Sequence, residues 1–232
     1  LFMIKEPYSI KQSLIVTSLF ILALWVIKSA EILFSLNLVG LGVSPGNLTG
    51  LLGVLTAPLV HGSISHISNN SLSLLILGTA LLYGYPKTRW PVIGIIWIAS
   101  GIGVWLFARQ VHHIGASGLT HGIFFYIFIA SILRRDKRSI VLMMIAFFMY
   151  GGMVMTIFPR EVGISYEYHF FGALVGAICA FFFFKKDPKL AEKTYSWEEN
   201  TESEEDDIIG NEWELPTEAE VKQQESDDRL NH

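Results

Sequence analysis

Apolar residues along the chain are gathered into blocks about as long as a membrane is thick. A bilayer's hydrocarbon core of about 30 Å is crossed by about 20 helical residues. Six blocks near this length predict six spans, at residues 13–27 (with an extension to 33 left open), 65–83, 90–107, 117–133, 140–158 and 166–184. The sequence lacks the alternating segments that a membrane β-barrel needs. The pattern therefore predicts an all-α membrane protein built as a six-helix bundle.

Residues 36–64, after the first block, follow a different pattern. They are apolar, but several glycines together with Pro45 and Pro58 interrupt them too often for a straight span. Irregular backbone is tolerated in a membrane only where other parts of the protein satisfy its polar groups. We therefore expect an interfacial or membrane-embedded loop after the first helix.

Composition divides the chain into two parts. Half of the 232 residues (51%) are hydrophobic, and the mean hydropathy is +0.44. Residues 187–232 hold 16 of the 21 acidic residues and only four of the 17 Lys and Arg residues. A segment of this kind cannot bury enough apolar surface to fold by itself. We expect a membrane domain at residues 1–186 and a disordered, acidic cytoplasmic tail at 187–232.

The tail also offers two short motifs, because Trp197 and Trp213 each precede a glutamate. They suggest docking to a cytosolic partner, whereas the plainer interpretation is a tail that only keeps the protein soluble. Nothing in the charge distribution favours nucleic acid as a partner.

The distribution of basic residues predicts how the spans are oriented, because short cytoplasmic loops are enriched in Lys and Arg. One side receives Lys5, Lys11, Lys87, Arg89, the cluster at 134–138, Lys185, Lys186 and Lys189. The other side receives only Lys28, Arg109 and Arg160. Both termini are therefore expected in the cytoplasm of a prokaryotic cell, with the protein in its plasma membrane. Each even-numbered span then begins at the outer face.

Polar side chains interrupt the apolar pattern at the start of these even-numbered spans. Such residues are costly at membrane depth and usually have a function there. They form three clusters: His61, His66, Asn69 and Asn70; Ser117, Thr120 and His121; and Glu167 with His169. Because the three clusters share one depth, we expect them to form a single site.

The residue types in these clusters suit nucleophilic catalysis. A serine hydroxyl needs a neighbouring base, and His169 is the only histidine of the sixth span. Ser117 begins the fourth span, where unpaired backbone N–H groups favour a developing negative charge. His66 and Asn70 are four residues apart, share one helical face and can donate hydrogen bonds to an oxyanion.

Glycine spacing predicts that the fourth and sixth spans touch. Gly118 and Gly122 lie in one span and Gly172 and Gly176 in the other, and small residues let helices approach closely. Gly115 and Ala116 are expected to keep the turn before Ser117 tight. This crossing would bring Ser117 to His169, with His121 beneath them.

The nearest carboxylate, Glu167, is two residues from His169 and therefore faces elsewhere. The other acids of the body, Glu6, Glu31, Asp136 and Glu161, are also poorly placed. We predict a Ser/His dyad whose imidazole is oriented by packing on His121.

These motifs resemble those of the rhomboid intramembrane serine proteases. The resemblance covers about residues 10–186 and rests on Gly115-Ala116-Ser117-Gly118, on His66 with Asn70, and on His169 with Gly172 and Gly176. It implies a compact six-helix fold, Ser117 as nucleophile, His169 as general base, and an oxyanion site formed by His66, Asn70 and the Ser117 amide. It further implies cleavage of single-span membrane proteins in or near the outer end of their span, without a metal or organic cofactor.

Two positions depart from the family pattern. Leu51-Leu52-Gly53 stands where many members have a Trp-Arg pair, which leaves the anchoring of the loop open. His121 stands where an aromatic Tyr or Phe is usual. Its ring can still stack on His169, and we hypothesise that the two imidazoles share a proton and make activity more dependent on pH.

Other interpretations remain open at this point. Ser117 could serve only as a helix N-cap, and His61, His112 and His113 are expected to be solvated loop residues. Histidines at one depth could also bind haem. A rhomboid-like membrane protein that binds partners without cleaving them is the main alternative. The hydrolase elbow Gly-x-Ser-x-Gly is not met at Ser117, because position 119 is Leu and no strands are predicted around it. The zinc motif His-Glu-x-x-His is absent from the sequence.

Overall fold

The structure, a computed structural model, describes residues 9–159 and 165–189. The predicted tail therefore lies outside the described residues from position 190 onward. Within the described ranges all regular elements are helical, and one isolated β-bridge joins Val43 to His113. The α-helices are α1 (Ile10–Leu33), α2 (Gly53–Thr56), α3 (Ile64–Ser73), α4 (Thr79–Gly84), α5 (Arg89–Phe107), α6 (Ser117–Arg134), α7 (Lys137–Tyr150), α8 (Met153–Thr156) and α9 (Tyr166–Phe183).

Four helices of the described chain, α1, α5, α6 and α9, are long and apolar enough to cross a membrane. A fifth candidate is the pair Leu48–Leu59 and Ile64–Gly84, which is bent by 69°. These elements support an all-helical, multi-pass membrane protein, as the apolar blocks predicted.

The second and fifth predicted spans are interrupted helices. In the second, α3 and α4 are joined by a π-helical stretch, Leu74–Gly78. The fifth consists of α7, 14 residues long, and the four-residue α8, with a turn at Gly151 and Gly152 between them. Neither α7 nor α8 alone is as long as the hydrocarbon core requires, so the count of six spans stays a prediction.

The central helix is α6, because 72% of its 18 residues are buried inside the protein. It packs most extensively on α9 and also contacts α5 and α7. At its far end the buried Arg134 guanidinium donates hydrogen bonds to the carbonyl oxygens of Phe184 and Asp187. This contact fixes the end of α9 to the end of α6, so both helices that begin at the site are also held together at their other ends.

The segment between α1 and α3 is a series of short helical turns packed against α5. The indole N–H groups of Trp97 and Trp105 donate to the carbonyl oxygens of Leu55 (3.1 Å) and Asn47 (2.8 Å). Gly101 of α5 lies directly against Val54. Tryptophans of α5 therefore anchor this loop, which resolves the question raised by Leu51-Leu52-Gly53.

Candidate active site

Residues from all three polar clusters line one cavity of about 650 Å³, whereas His61 and Glu167 of those clusters do not. The starts of α3, α6 and α9 meet around it, together with α8. Five predicted site residues line the cavity: His66, Asn70, Ser117, His121 and His169. Further polar residues in its wall are Ser63, Ser65, Asn69, His112 and Ser165. A space of this size and polarity can hold water and an extended stretch of peptide.

Ser117 is the first residue of α6 and is 7% exposed. Ala116 occupies the N-cap position, and no side chain makes a capping hydrogen bond there. The interpretation of Ser117 as a simple N-cap is therefore wrong. The hydroxyl lies where the unpaired N–H groups and the dipole of α6 favour negative charge.

His169 stacks face to face on His121, with ring centroids 4.0 Å apart and planes inclined by 11°. Its Nδ1 lies 3.0 Å from the carbonyl oxygen of Thr156. Because a carbonyl oxygen can only accept, Nδ1 carries the proton, and the neutral ring keeps its lone pair on Nε2. This is the tautomer that a general base acting through Nε2 requires.

Within the described chain, no hydrogen bond joins the Ser117 hydroxyl to the His169 ring, although both line the cavity. Catalytic hydrogen bonds are often long in the absence of substrate and shorten when it binds. The arrangement thus places a serine hydroxyl and an imidazole with a free Nε2 lone pair on the walls of one cavity.

The turn before Ser117 lies against His66 and Asn70 of α3. Gly115 has φ +108°, a conformation that residues with a side chain rarely adopt. A Cβ atom at Gly115 would lie 2.6 Å from Nε2 of His66 and 3.5 Å from Nδ2 of Asn70. Asn70 Nδ2 is buried and has no hydrogen-bond partner among the described residues. A buried donor without an acceptor is costly, and an oxyanion formed at this point would satisfy it.

His61 supports this turn from behind, a role that the sequence did not suggest. It is 1% exposed, its Nε2 accepts the Ala116 N–H (3.3 Å), and its ring packs edge-on against His66 with centroids 5.0 Å apart. Its own carbonyl oxygen accepts a hydrogen bond from Lys28 of α1 at 2.8 Å. The expectation of a solvated loop histidine is wrong for His61.

That expectation is also wrong for His113, which is 1% exposed, whereas His112 is exposed at the cavity rim. The Nε2–H of His113 donates to the Arg109 carbonyl oxygen (3.0 Å), and Nδ1 accepts from the Ser165 hydroxyl (2.6 Å). Burial lowers the pKa of His113, and the neutral ring suits both contacts. His113 thus connects the loop before Ser117 to the start of α9.

Glu167 does not line the cavity that holds Ser117 and His169, which agrees with its spacing from His169. Its carboxylate forms a bidentate ion pair with the Arg109 guanidinium. This pair is a second connection between the loop before α6 and the start of α9.

Close contact between α6 and α9 depends on their glycines. A Cβ atom at Gly172 would lie 2.8 Å from the carbonyl carbon of Gly118, and one at Gly176 would lie 2.8 Å from that of Gly122. Both distances are far shorter than an ordinary contact between carbon atoms. The crossing therefore has the close approach that the glycine spacing predicted.

Both nitrogens of His121 are engaged by protein groups. Nδ1 lies 2.7 Å from the Ser117 carbonyl oxygen and Nε2 lies 2.8 Å from the Thr156 hydroxyl. With both nitrogens occupied and a ring stacked on its face, His121 is not available as an axial ligand for haem.

Comparison with known proteins agrees with the motifs. The model of the Rhomboid domain matches residues 48–186, more than half of the chain. Uncharacterized proteins of Mycobacterium bovis and Mycobacterium tuberculosis are 33% identical over 150 residues, which cover 60% of this chain and 62% of each relative. An uncharacterized protein of Mycobacterium leprae is 30% identical over 141 residues, covering 56% of this chain and 55% of that protein. The chain thus spans less than two thirds of the length of these curated relatives. On the match to its domain, the chain belongs to the rhomboid family.

Proposed function

We propose that this protein is an intramembrane serine endopeptidase. It would hydrolyse peptide bonds in or near the transmembrane segment of single-span membrane proteins by a dyad of Ser117 and His169. The observation that carries the proposal is the Nδ1 contact of His169, which leaves the Nε2 lone pair available beside the cavity that Ser117 lines.

The reaction would proceed through an acyl-enzyme. As Ser117 Oγ attacks the scissile carbonyl carbon, its proton passes to His169 Nε2. The N–H of Ser117 and the side chains of His66 and Asn70 hold the oxyanion. His169 then gives its proton to the leaving amine, and a water molecule activated by the same imidazole hydrolyses the ester. Each oxyanion donor is expected to contribute about 10²–10³ in kcat.

The proposal includes the arrangement of the chain in the membrane. Residues 1–186 would form a catalytic membrane domain of six spans with both termini in the cytoplasm. Bacterial relatives are consistent with a bacterial plasma membrane. The dyad would then lie below the outer surface, where water reaches it through the cavity and a substrate span arrives from the lipid bilayer. The acidic segment 187–232 would bind a cytosolic partner or only solubilise the chain.

One observation favours a second function. Since the Ser117 hydroxyl and His169 are not hydrogen-bonded in the described structure, the protein could instead bind transmembrane segments without cleaving them. The two functions differ in whether Ser117 forms a covalent bond.

The deciding experiment uses the full chain in liposomes with a tagged single-span reporter. We expect cleavage that is lost in Ser117→Ala and His169→Ala and that persists with a metal chelator. Ser65→Ala and His112→Ala are matched controls, because both residues line the cavity outside the proposed dyad. Cleavage that survives Ser117→Ala would refute the proposal. Reporter binding without cleavage, and without Ser117 labelling by a fluorophosphonate, would establish the second function.

A further inference from the structure

Thr156, at the end of α8, contacts both stacked imidazoles. Its carbonyl oxygen accepts from His169 Nδ1 at 3.0 Å. Its hydroxyl lies 2.8 Å from His121 Nε2 and 2.9 Å from the Met153 carbonyl oxygen. One residue outside the three polar clusters thus holds the ring of the general base and the ring on which it stacks.

The hydrogen positions in this group follow from which atoms can only accept. His121 Nδ1 faces the Ser117 carbonyl oxygen at 2.7 Å, so in the neutral ring Nδ1 bears the proton and Nε2 is an acceptor. Among the described residues, the Thr156 hydroxyl is the group that contacts this Nε2. The single proton of this hydroxyl lies within reach of two acceptors, His121 Nε2 and the Met153 carbonyl oxygen. Without the hydroxyl, no described group could donate to the buried Nε2.

The two contacts act on different aspects of the base. The Thr156 carbonyl oxygen holds the proton of His169 on Nδ1 and so selects its tautomer. In a serine protease triad an aspartate has this role. The hydroxyl fixes the rotation of His121 and with it the surface against which His169 lies. Both contacts come from the short helix after the break at Gly151 and Gly152, so the fifth predicted span sets the orientation of a residue on the sixth.

We propose that Thr156 is a positioning residue of the dyad, acting on His169 through its carbonyl and through His121 by its hydroxyl. The expected effect on kcat rests on the proposed proteolytic function. The hydrogen bonds to Thr156 can be tested even on a protein without activity.

The kinetic test compares Thr156→Val, which removes only the hydroxyl, with Thr156→Ser, which keeps it. We expect Thr156→Val to lower kcat by about tenfold, the effect of one buried acceptor losing its donor, with KM changed less than about threefold. Thr156→Ser is expected to retain kcat within about threefold. Equal losses in the valine and serine variants would overturn the role of the hydroxyl.

A double-mutant cycle separates positioning from packing. His121→Phe keeps a ring for stacking but has no nitrogen to accept from Thr156. If the hydroxyl acts through His121, adding Thr156→Val to His121→Phe should change kcat less than about twofold. A loss in this background as large as in the native background would show that Thr156 serves packing alone.

A spectroscopic test does not depend on activity. In ¹⁵N spectra of the neutral imidazoles, assigned with single histidine variants, we expect His169 with its proton on Nδ1. The Nε2 signal of His121 should shift in Thr156→Val and not in Thr156→Ser. A His169 proton on Nε2 overturns the proposal. If the spectra are as expected but the protein cleaves no reporter, the hydrogen bonds to Thr156 are supported and the proteolytic function is refuted.

Discussion

Gly172 lies against Gly118 so closely that α6 and α9 leave no room for a methyl group. A Cβ atom at Gly172 would be 2.8 Å from the Gly118 carbonyl carbon and 3.0 Å from its Cα, and closer still to its oxygen. Carbon atoms pack best at about 3.5–4.0 Å, so Gly172→Ala must move the helices apart by about 0.7 Å or more. Overpacking of this kind costs about 1–3 kcal/mol.

The displacement falls at the proposed dyad, because Gly118 follows Ser117 directly and Gly172 lies one helical turn after His169. A shift approaching 1 Å between reacting groups lowers rates by up to about 10²-fold. We therefore expect Gly172→Ala to lower kcat about tenfold to a hundredfold. Its unfolding temperature should fall by about 2–4 °C for each kcal/mol lost.

The matched control is Gly94→Ala, in α5, where a Cβ atom meets nothing within 4 Å. Alanine is preferred to glycine inside a helix by about 0.5–1 kcal/mol, so this variant should be as stable as the native protein or more so. Reporter cleavage in liposomes and thermal unfolding in detergent measure the two effects. If Gly172→Ala cleaves and unfolds like Gly94→Ala, the close helix crossing is not what positions the dyad.

Three further outcomes test other parts of the site. Asn70→Ala, which removes the unpaired buried donor, should lower kcat about 10²-fold with little change in KM, and an unchanged kcat would exclude this amide from the oxyanion site. The hypothesis that His121 and His169 share a proton is wrong, because the rings are stacked and both His121 nitrogens contact other groups. His121→Tyr should therefore leave the pH–rate profile unchanged, and a shifted profile would contradict this. Because burial lowers the pKa of His113, the unfolded chain binds its proton first, and stability should fall as pH drops through about 6.5. His113→Asn should reduce this loss in unfolding experiments at pH 8 and 5, and an equal loss in the variant would show that other groups cause it.

The elements that the sequence predicted well are those determined by local composition. The third predicted block, 90–107, and the helix α5, Arg89–Phe107, differ by one residue, because an uninterrupted apolar run determines a helix in a membrane. The fifth block was predicted less well, since its hydrophobicity continues across Gly151 and Gly152 while the helix does not. Hydropathy measures how favourably each side chain transfers into lipid. It does not detect a local turn whose backbone polar groups form hydrogen bonds with neighbouring protein.

For the candidate site, the sequence identified residues that are chemically unusual for their depth and overlooked those that look ordinary. Ser117, His169 and the glycines were recognisable because a polar or small residue there needs a reason. Thr156 gave no such signal, because threonine is tolerated in a span and its main contact to His169 is through a backbone carbonyl that every residue possesses.

A backbone carbonyl, which every residue has, also explains how His169 can be oriented without an acidic side chain. A triad aspartate accepts a hydrogen bond from the Nδ1–H of its histidine and also brings a full negative charge into the site. In a membrane that charge is expensive to bury, whereas a carbonyl oxygen is already present and needs a donor. The Thr156 carbonyl, 3.0 Å from Nδ1, can select the tautomer at much lower cost, although it stabilises the imidazolium less than a carboxylate would. Stacking on His121 adds a polarisable ring face to the same imidazole. The proposed dyad therefore depends on the position of α8, because the acceptor for His169 Nδ1 is a backbone atom that no side-chain substitution removes.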